Sequence, residues 1–136
     1  MTSDVDGHRP CVLLLEPNSG VRRALIELLT VENFRVVECE SLEHVLQQAA
    51  GGERCQVALI AWQSMEGLLA DAHRRRLVQF TRRLQLVVMV PRRWIRLLEQ
   101  SDLDLVGMVA KPFDADELLD ALRAAATRSL VASSPA

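Results

Sequence analysis

The sequence contains no tyrosine, and aromatic residues of every kind make up only 4% of its 136 positions. Lys111 is the single lysine among 16 basic residues, the rest being arginine. Five prolines and six glycines are too few for a collagen-like or low-complexity chain. The three cysteines, Cys11, Cys39 and Cys55, are odd in number and form no CxxC pair. That argues against a disulfide framework and against a zinc site. They read as small buried hydrophobes in a reducing cytoplasm. No apolar run approaches the ~20 residues needed to cross a bilayer. Met1 to Pro10 is polar and lacks the apolar stretch of a secretion signal. A cytoplasmic, soluble protein with no membrane partner is expected.

Catalytic signatures are missing as well. The chain holds no GxGxxG, no Walker lysine loop, no GxSxG and no HExxH. His8, His44 and His73 are scattered without metal-ligand spacing. No cofactor, no bound metal and no enzymatic activity are therefore expected.

What is present suits one ordinary domain. The apolar fraction is 49%, enough for a continuous core, and the formal charge is -2. Such a charge provides no global field for nucleic acid. The arginine groups 74–76 and 82–83 read as a solvated helix face rather than as phosphate contacts.

Five stretches read as strands. Cys11 to Leu15 is apolar throughout, as is a central parallel strand covered on both faces. Phe34 to Cys39, Val57 to Ala61, Leu84 to Val90 and Leu105 to Ala110 follow. Helical spacing separates them. Val21, Ala24, Leu25, Leu28 and Leu29 form one apolar stripe, with Asn18 or Ser19 as cap. Ser41 caps a second helix through Leu42, Val45, Leu46 and Ala49, which Gly51 and Gly52 end. Its capping box is imperfect, because His44 stands where Glu or Gln would close it. A loop after Trp62 leads to a helix through Leu68, Leu69, Ala72, Leu77 and Phe80. Arg92–Gln100 reads as a further helix. Asp114 or Asp116 caps a last one through Leu118, Leu119, Leu122 and Ala125. The chain divides into a polar tail over 1–10, a domain over 11–126 and a tail over 127–136. Alternating strands and helices imply a parallel sheet in a three-layer sandwich.

The run Val12-Leu-Leu-Leu with its polar turn and Val21-Arg-Arg-Ala-Leu, together with Lys111-Pro-Phe-Asp-Ala-Asp-Glu-Leu, resembles the receiver domain of bacterial response regulators over 11–126. The resemblance implies a flavodoxin-like α/β fold with strand order 2-1-3-4-5 and a site at the carboxyl ends of the strands. In such domains a phosphoryl group passes to an Asp that ends the third strand. Acidic residues after the first strand hold Mg²⁺, and a hydroxyl and a lysine contact the phosphoryl oxygens. Matched position by position, the acidic pair falls on Glu16 and Pro17. The acceptor falls on Ala61, the hydroxyl on Pro91 and the lysine on Lys111. The switch aromatic falls near Met108. Three of these replacements, Pro17, Ala61 and Pro91, have no side-chain oxygen.

The resemblance therefore implies a degenerate, phosphorylation-deficient receiver that works in bacterial signalling by binding a protein partner or a second copy of itself. A Glu16–Lys111 ion pair is expected in the degenerate site. Arg93, Trp94, Arg96 and Gln100 form the candidate interface, since Trp94 lies about 100° around its helix from the apolar Ile95. Trp62 either fills the old acceptor pocket or offers a binding surface above it. The alternative function is a small-ligand or anion sensor that uses the vacated pocket around Glu16, Trp62, Pro91 and Lys111.

Overall fold

Strands that are apolar at every position need cover on both faces, and the chain folds to provide it. The computed structural model describes residues 9–50, 55, 57–65, 85–92, 106–111 and 114–133. Its elements run β1 (Cys11–Leu15), α1 (Ser19–Val31), β2 (Arg35–Glu38), α2 (Leu42–Ala50) and β3 (Val57–Ala61). A 3-10 turn (Trp62–Met65), β4 (Gln85–Pro91), β5 (Val106–Lys111) and α3 (Ala115–Ser133) complete them. All strands are parallel, in the order β2-β1-β3-β4-β5, as expected from the sequence. The helix expected through Leu68 to Phe80 lies outside the described residues, as does that expected over Arg92–Gln100 beyond Arg92.

Side chains alternate faces along each strand. Leu13, Leu15, Ala58, Ile60, Leu86, Val88 and Val90 pack into one layer with Val45 of α2. Val12, Leu14, Val57, Leu59, Ala61, Val87 and Met89 pack into the other with Leu25 and Leu29 of α1 and Leu118 and Leu122 of α3. Every residue of β1 and β3 is buried. By contrast β2 is an edge strand whose Arg35 and Glu38 are exposed.

Local chemistry ends each helix. Asn18 caps α1 by accepting from the Val21 amide at 3.0 Å. Asn33, at φ 69°, makes the left-handed turn from α1 into β2, a conformation that Asn tolerates better than most residues. Asp114 caps α3, accepting from the Asp116 amide at 3.1 Å. At α2 the Ser41 hydroxyl accepts from the His44 amide at 3.1 Å. The His44 ring then reaches back, and its Nδ1 accepts from the Glu40 amide at 3.2 Å. The imidazole thus takes the amide of the residue before the cap rather than that of Ser41 itself, so the box stays open. The Gln48 side-chain amide stands 3.3 Å from the ring's Nε2. Helix α3 runs to Ser133, past the Ala126 expected as the end of the domain.

The cysteines require a correction. Cys11 and Cys55 are joined in a disulfide, their Cα atoms 4.3 Å apart across 44 residues of sequence. An odd count and a missing CxxC carry no information about residues that strand register brings together. The Cα atoms of Val12 and Val57 pair, so positions 11 and 55 stand at the amino ends of neighbouring strands. Such strands lie about 4.8 Å apart.

Cys39 is a buried free thiol, as expected. Burial pushes its pKa from 9.0 up to about 11. A thiol that holds its proton more tightly when folded contributes stability that is complete below the ordinary value. That contribution is lost as pH rises through the folded value. Denaturant unfolding between about pH 9 and 11 should show the native protein losing about 2 kcal/mol relative to Cys39→Ala. Parallel pH curves for the two proteins would contradict this account.

Candidate functional site

In a sheet whose strands are buried on both faces, polar chemistry is confined to the strand ends. Glu16, the residue after β1, is 1% exposed and is the only buried charged side chain among the described residues. Its Oε1 forms an ion pair and hydrogen bond with Nζ of Lys111, the last residue of β5. Its Oε2 accepts from the Asn18 amide at 3.3 Å. Both carboxylate oxygens are therefore satisfied, as a buried charge requires. Lys111 keeps 26% of its side chain exposed, so the pair is open to water on the lysine side.

Strand order explains why the two meet. In the row β1-β3-β4-β5, β1 and β5 are separated by β3 and β4. Three strand spacings amount to roughly 14 Å, about the combined reach of an extended lysine and an extended glutamate. The pair therefore bridges the ends of β3 and β4. Ala61 ends β3, fully buried, and Pro91 ends β4 with its Cα paired to that of Lys111. Neither carries a side-chain oxygen or nitrogen. Pro17 is exposed and offers none either. The arrangement can neutralise one carboxylate with one ammonium. Pro17, Ala61 and Pro91 add no carboxylate and no hydroxyl to it. Groups of three or more His, Cys, Asp or Glu placed to hold a metal are absent among the described residues.

The expected pairing of Glu16 with Lys111 is thus present, with Ala61 and Pro91 at the neighbouring strand ends. Trp62 opens the 3-10 turn directly after β3, where a plain loop was expected. Met108 lies in β5 opposite Val88. The candidate interface residues Arg93, Trp94, Arg96 and Gln100 lie outside the described residues.

The sequence reading missed Arg22. Its Nη1 donates to the Glu16 carbonyl oxygen at 3.0 Å, and its Nε lies 3.5 Å from Glu38 Oε1. The guanidinium therefore ties the end of β1 to the end of β2. It also lines an open groove of about 650 Å³ with Arg23, Ile26, Glu27 and Glu38. Periodicity marks Arg22 as a surface position, and nothing in the sequence joins it to a glutamate sixteen positions on. A second long-range pair, Arg123 Nη2 to Glu32 Oε2 at 3.1 Å, fastens α3 to the end of α1.

No family model and no curated protein matches the chain. Solved structures do. A signal receiver domain of an HD domain-containing protein from Pseudomonas fluorescens superposes with a TM-score of 0.69 at 21% identity, covering 90% of each chain. A response regulator receiver domain from Clostridium thermocellum gives 0.73 at 14% identity, covering 90% of this chain and 98% of that one. The N-terminal signal receiver domain of a two-component response regulator from Bacteroides fragilis gives 0.67 at 25% identity, covering 87% and 97%. The chain has the receiver-domain fold.

The ion pair sets a measurable expectation. Lys111→Met strands a buried carboxylate and should cost about 3 kcal/mol in chemical denaturation. Adding Glu16→Gln, which still accepts from the Asn18 amide, should restore much of that loss. A double-mutant cycle with no coupling between the two positions would show that the pair contributes nothing.

Proposed function

We propose that the chain is a phosphorylation-independent receiver-like signalling module that acts through protein–protein contact. The observation that carries this reading is the closed ion pair of Glu16 and Lys111 over a β3 that ends in Ala61. Aspartyl phosphorylation needs a carboxylate nucleophile, oxygen ligands for Mg²⁺ and donors for the phosphoryl oxygens. Ala61, Pro17 and Pro91 remove one element of each kind. The lysine that would meet the phosphoryl group is already neutralised by Glu16. With no covalent input at this pole, the signal is the association itself.

The module meets its partner, a signalling protein, an effector or a second copy, in the cytoplasm. It uses the face that includes Arg93, Trp94, Arg96 and Gln100, where an indole among arginines has the composition of an interface centre. No helix among the described residues is long and apolar enough to cross a membrane. Ligand or anion sensing by the vacated pocket is the weaker reading. An anion there would have to displace the Glu16 carboxylate from Lys111 and leave it buried without its counter-charge.

Incubation with acetyl phosphate and Mg²⁺, followed by intact mass measurement, tests the loss of phosphotransfer. The native chain should gain no phosphoryl mass. Ala61→Asp should gain none either, because Pro17 and Pro91 still supply neither metal ligand nor hydroxyl. A hydroxylamine-labile phosphoryl group on the native chain would sink the proposal.

The interface makes a separate claim. Trp94→Ala should weaken self-association or partner binding by about 2 kcal/mol or more while moving stability by no more than about 0.5 kcal/mol. Sedimentation and thermal melts read both quantities. A sharp fall in melting temperature with association intact would move the interface elsewhere.

A further inference from the structure

The amino end of the sheet, opposite the Glu16–Lys111 pole, holds a chemistry the proposed function does not use. Cys11 opens β1 and Cys55 lies two residues ahead of β3, both in one apolar layer with Leu13, Ala58 and Leu86. The β1–β3 ladder, which pairs Val12 with Val57, brings the chain segments that carry the two cysteines side by side independently of the bond between the sulfurs. Two thiols placed in this way react as an intramolecular pair. We propose that Cys11 and Cys55 form a reversible oxidation-sensitive clamp on the receiver-like domain.

The reaction balances with a low-molecular-weight disulfide as oxidant, such as oxidised glutathione. Cys55 is 9% exposed and Cys11 only 1%, so Cys55 is the first to react. Its thiolate attacks the small disulfide, forming a mixed disulfide and releasing one small thiol. The Cys11 thiolate then attacks the Cys55 sulfur, forming the Cys11–Cys55 bond and releasing a second small thiol. Two electrons and two protons pass from the protein to the oxidant. Cys39 is no competitor. It sits at the far end of β2, buried and alone, with its pKa pushed up to about 11, so it presents almost no thiolate near neutrality.

Closure joins residues 44 apart in sequence, and the loop contains β1, α1, β2 and α2. A cross-link over a loop of that length removes many conformations from the unfolded chain. The loop also carries Glu16 and Arg22. Oxidation would therefore fasten the half of the fold that holds the carboxylate, without touching the carboxylate itself. In a cytoplasm kept reducing by glutathione, a bond of this kind forms under oxidation and is undone afterwards.

The test uses the full chain, reduced in denaturant, refolded, and then exposed to oxidised glutathione. Samples are unfolded in acid, alkylated with iodoacetamide and mapped by mass. The expected product carries one alkyl group, on Cys39, and a linked Cys11–Cys55 peptide. Its melting temperature should exceed that of the reduced protein by on the order of 10 °C, and the gain should vanish on adding dithiothreitol. Cys39→Ala should behave as the native chain, and Cys55→Ala should show no redox-dependent shift. Three alkylated cysteines, a persistent glutathione adduct or a link through Cys39 would each overturn the proposal. So would a bond that dithiothreitol fails to open, or a shift that survives in Cys55→Ala.

Discussion

The fold depends on pairing one carboxylate, buried where water scarcely reaches, with a cation. Burying an unpaired charge costs several kcal/mol after the protein relaxes, so Glu16 can be buried only if a cation meets it. Lys111 comes from the far side of the sheet, which makes the pair a tie across four adjacent strands rather than a local contact. The tie holds the end of β1 and the end of β5 in fixed relation, with β3 and β4 enclosed between them. Arg22 extends it outward by gripping the carbonyl of the same glutamate and the carboxylate of Glu38 on β2. The carboxyl ends of β2, β1 and β5 are thereby linked through two cations and two glutamates.

This network gives the small residues at the pole their meaning. A methyl group at position 61 and a pyrrolidine at 91 add no polar atom that would compete for the ammonium. A carboxylate at the end of β3 would sit between Glu16 and Lys111 and share the lysine, placing two negative charges against one positive.

Much of the fold was legible because burial on both faces writes itself as uninterrupted apolar sequence. Cys11–Leu15 and Val57–Ala61 coincide with their strands for that reason. Phe34 looked like strand and instead packs beside α1, since a buried aromatic at a strand's entrance satisfies the same pattern. Caps were legible where a short polar side chain preceded an apolar stripe, at Asn18 and Asp114. At Ser41 the box is as imperfect in the structure as in the sequence, since His44 Nδ1 accepts from Glu40, one residue before the cap. The Glu16–Lys111 pair could be expected only after both residues were assigned to one pole of the sheet. Cys11 with Cys55 and Arg22 with Glu38 stayed hidden, since each pairing is made by register and by the path of the chain rather than by spacing.

The edge strand β2 constrains how anything can attach to this molecule. It is four residues long and begins and ends on the exposed charges Arg35 and Glu38. An extended peptide that sought to lengthen the sheet there would find few backbone groups to pair with and a charge at either limit. Strand addition, which recruits partners through main-chain hydrogen bonds and needs little side-chain complementarity, is thereby discouraged on this side. A partner arriving at the β2 edge must instead be recognised by the shape and charge of side chains on the helices and loops around it.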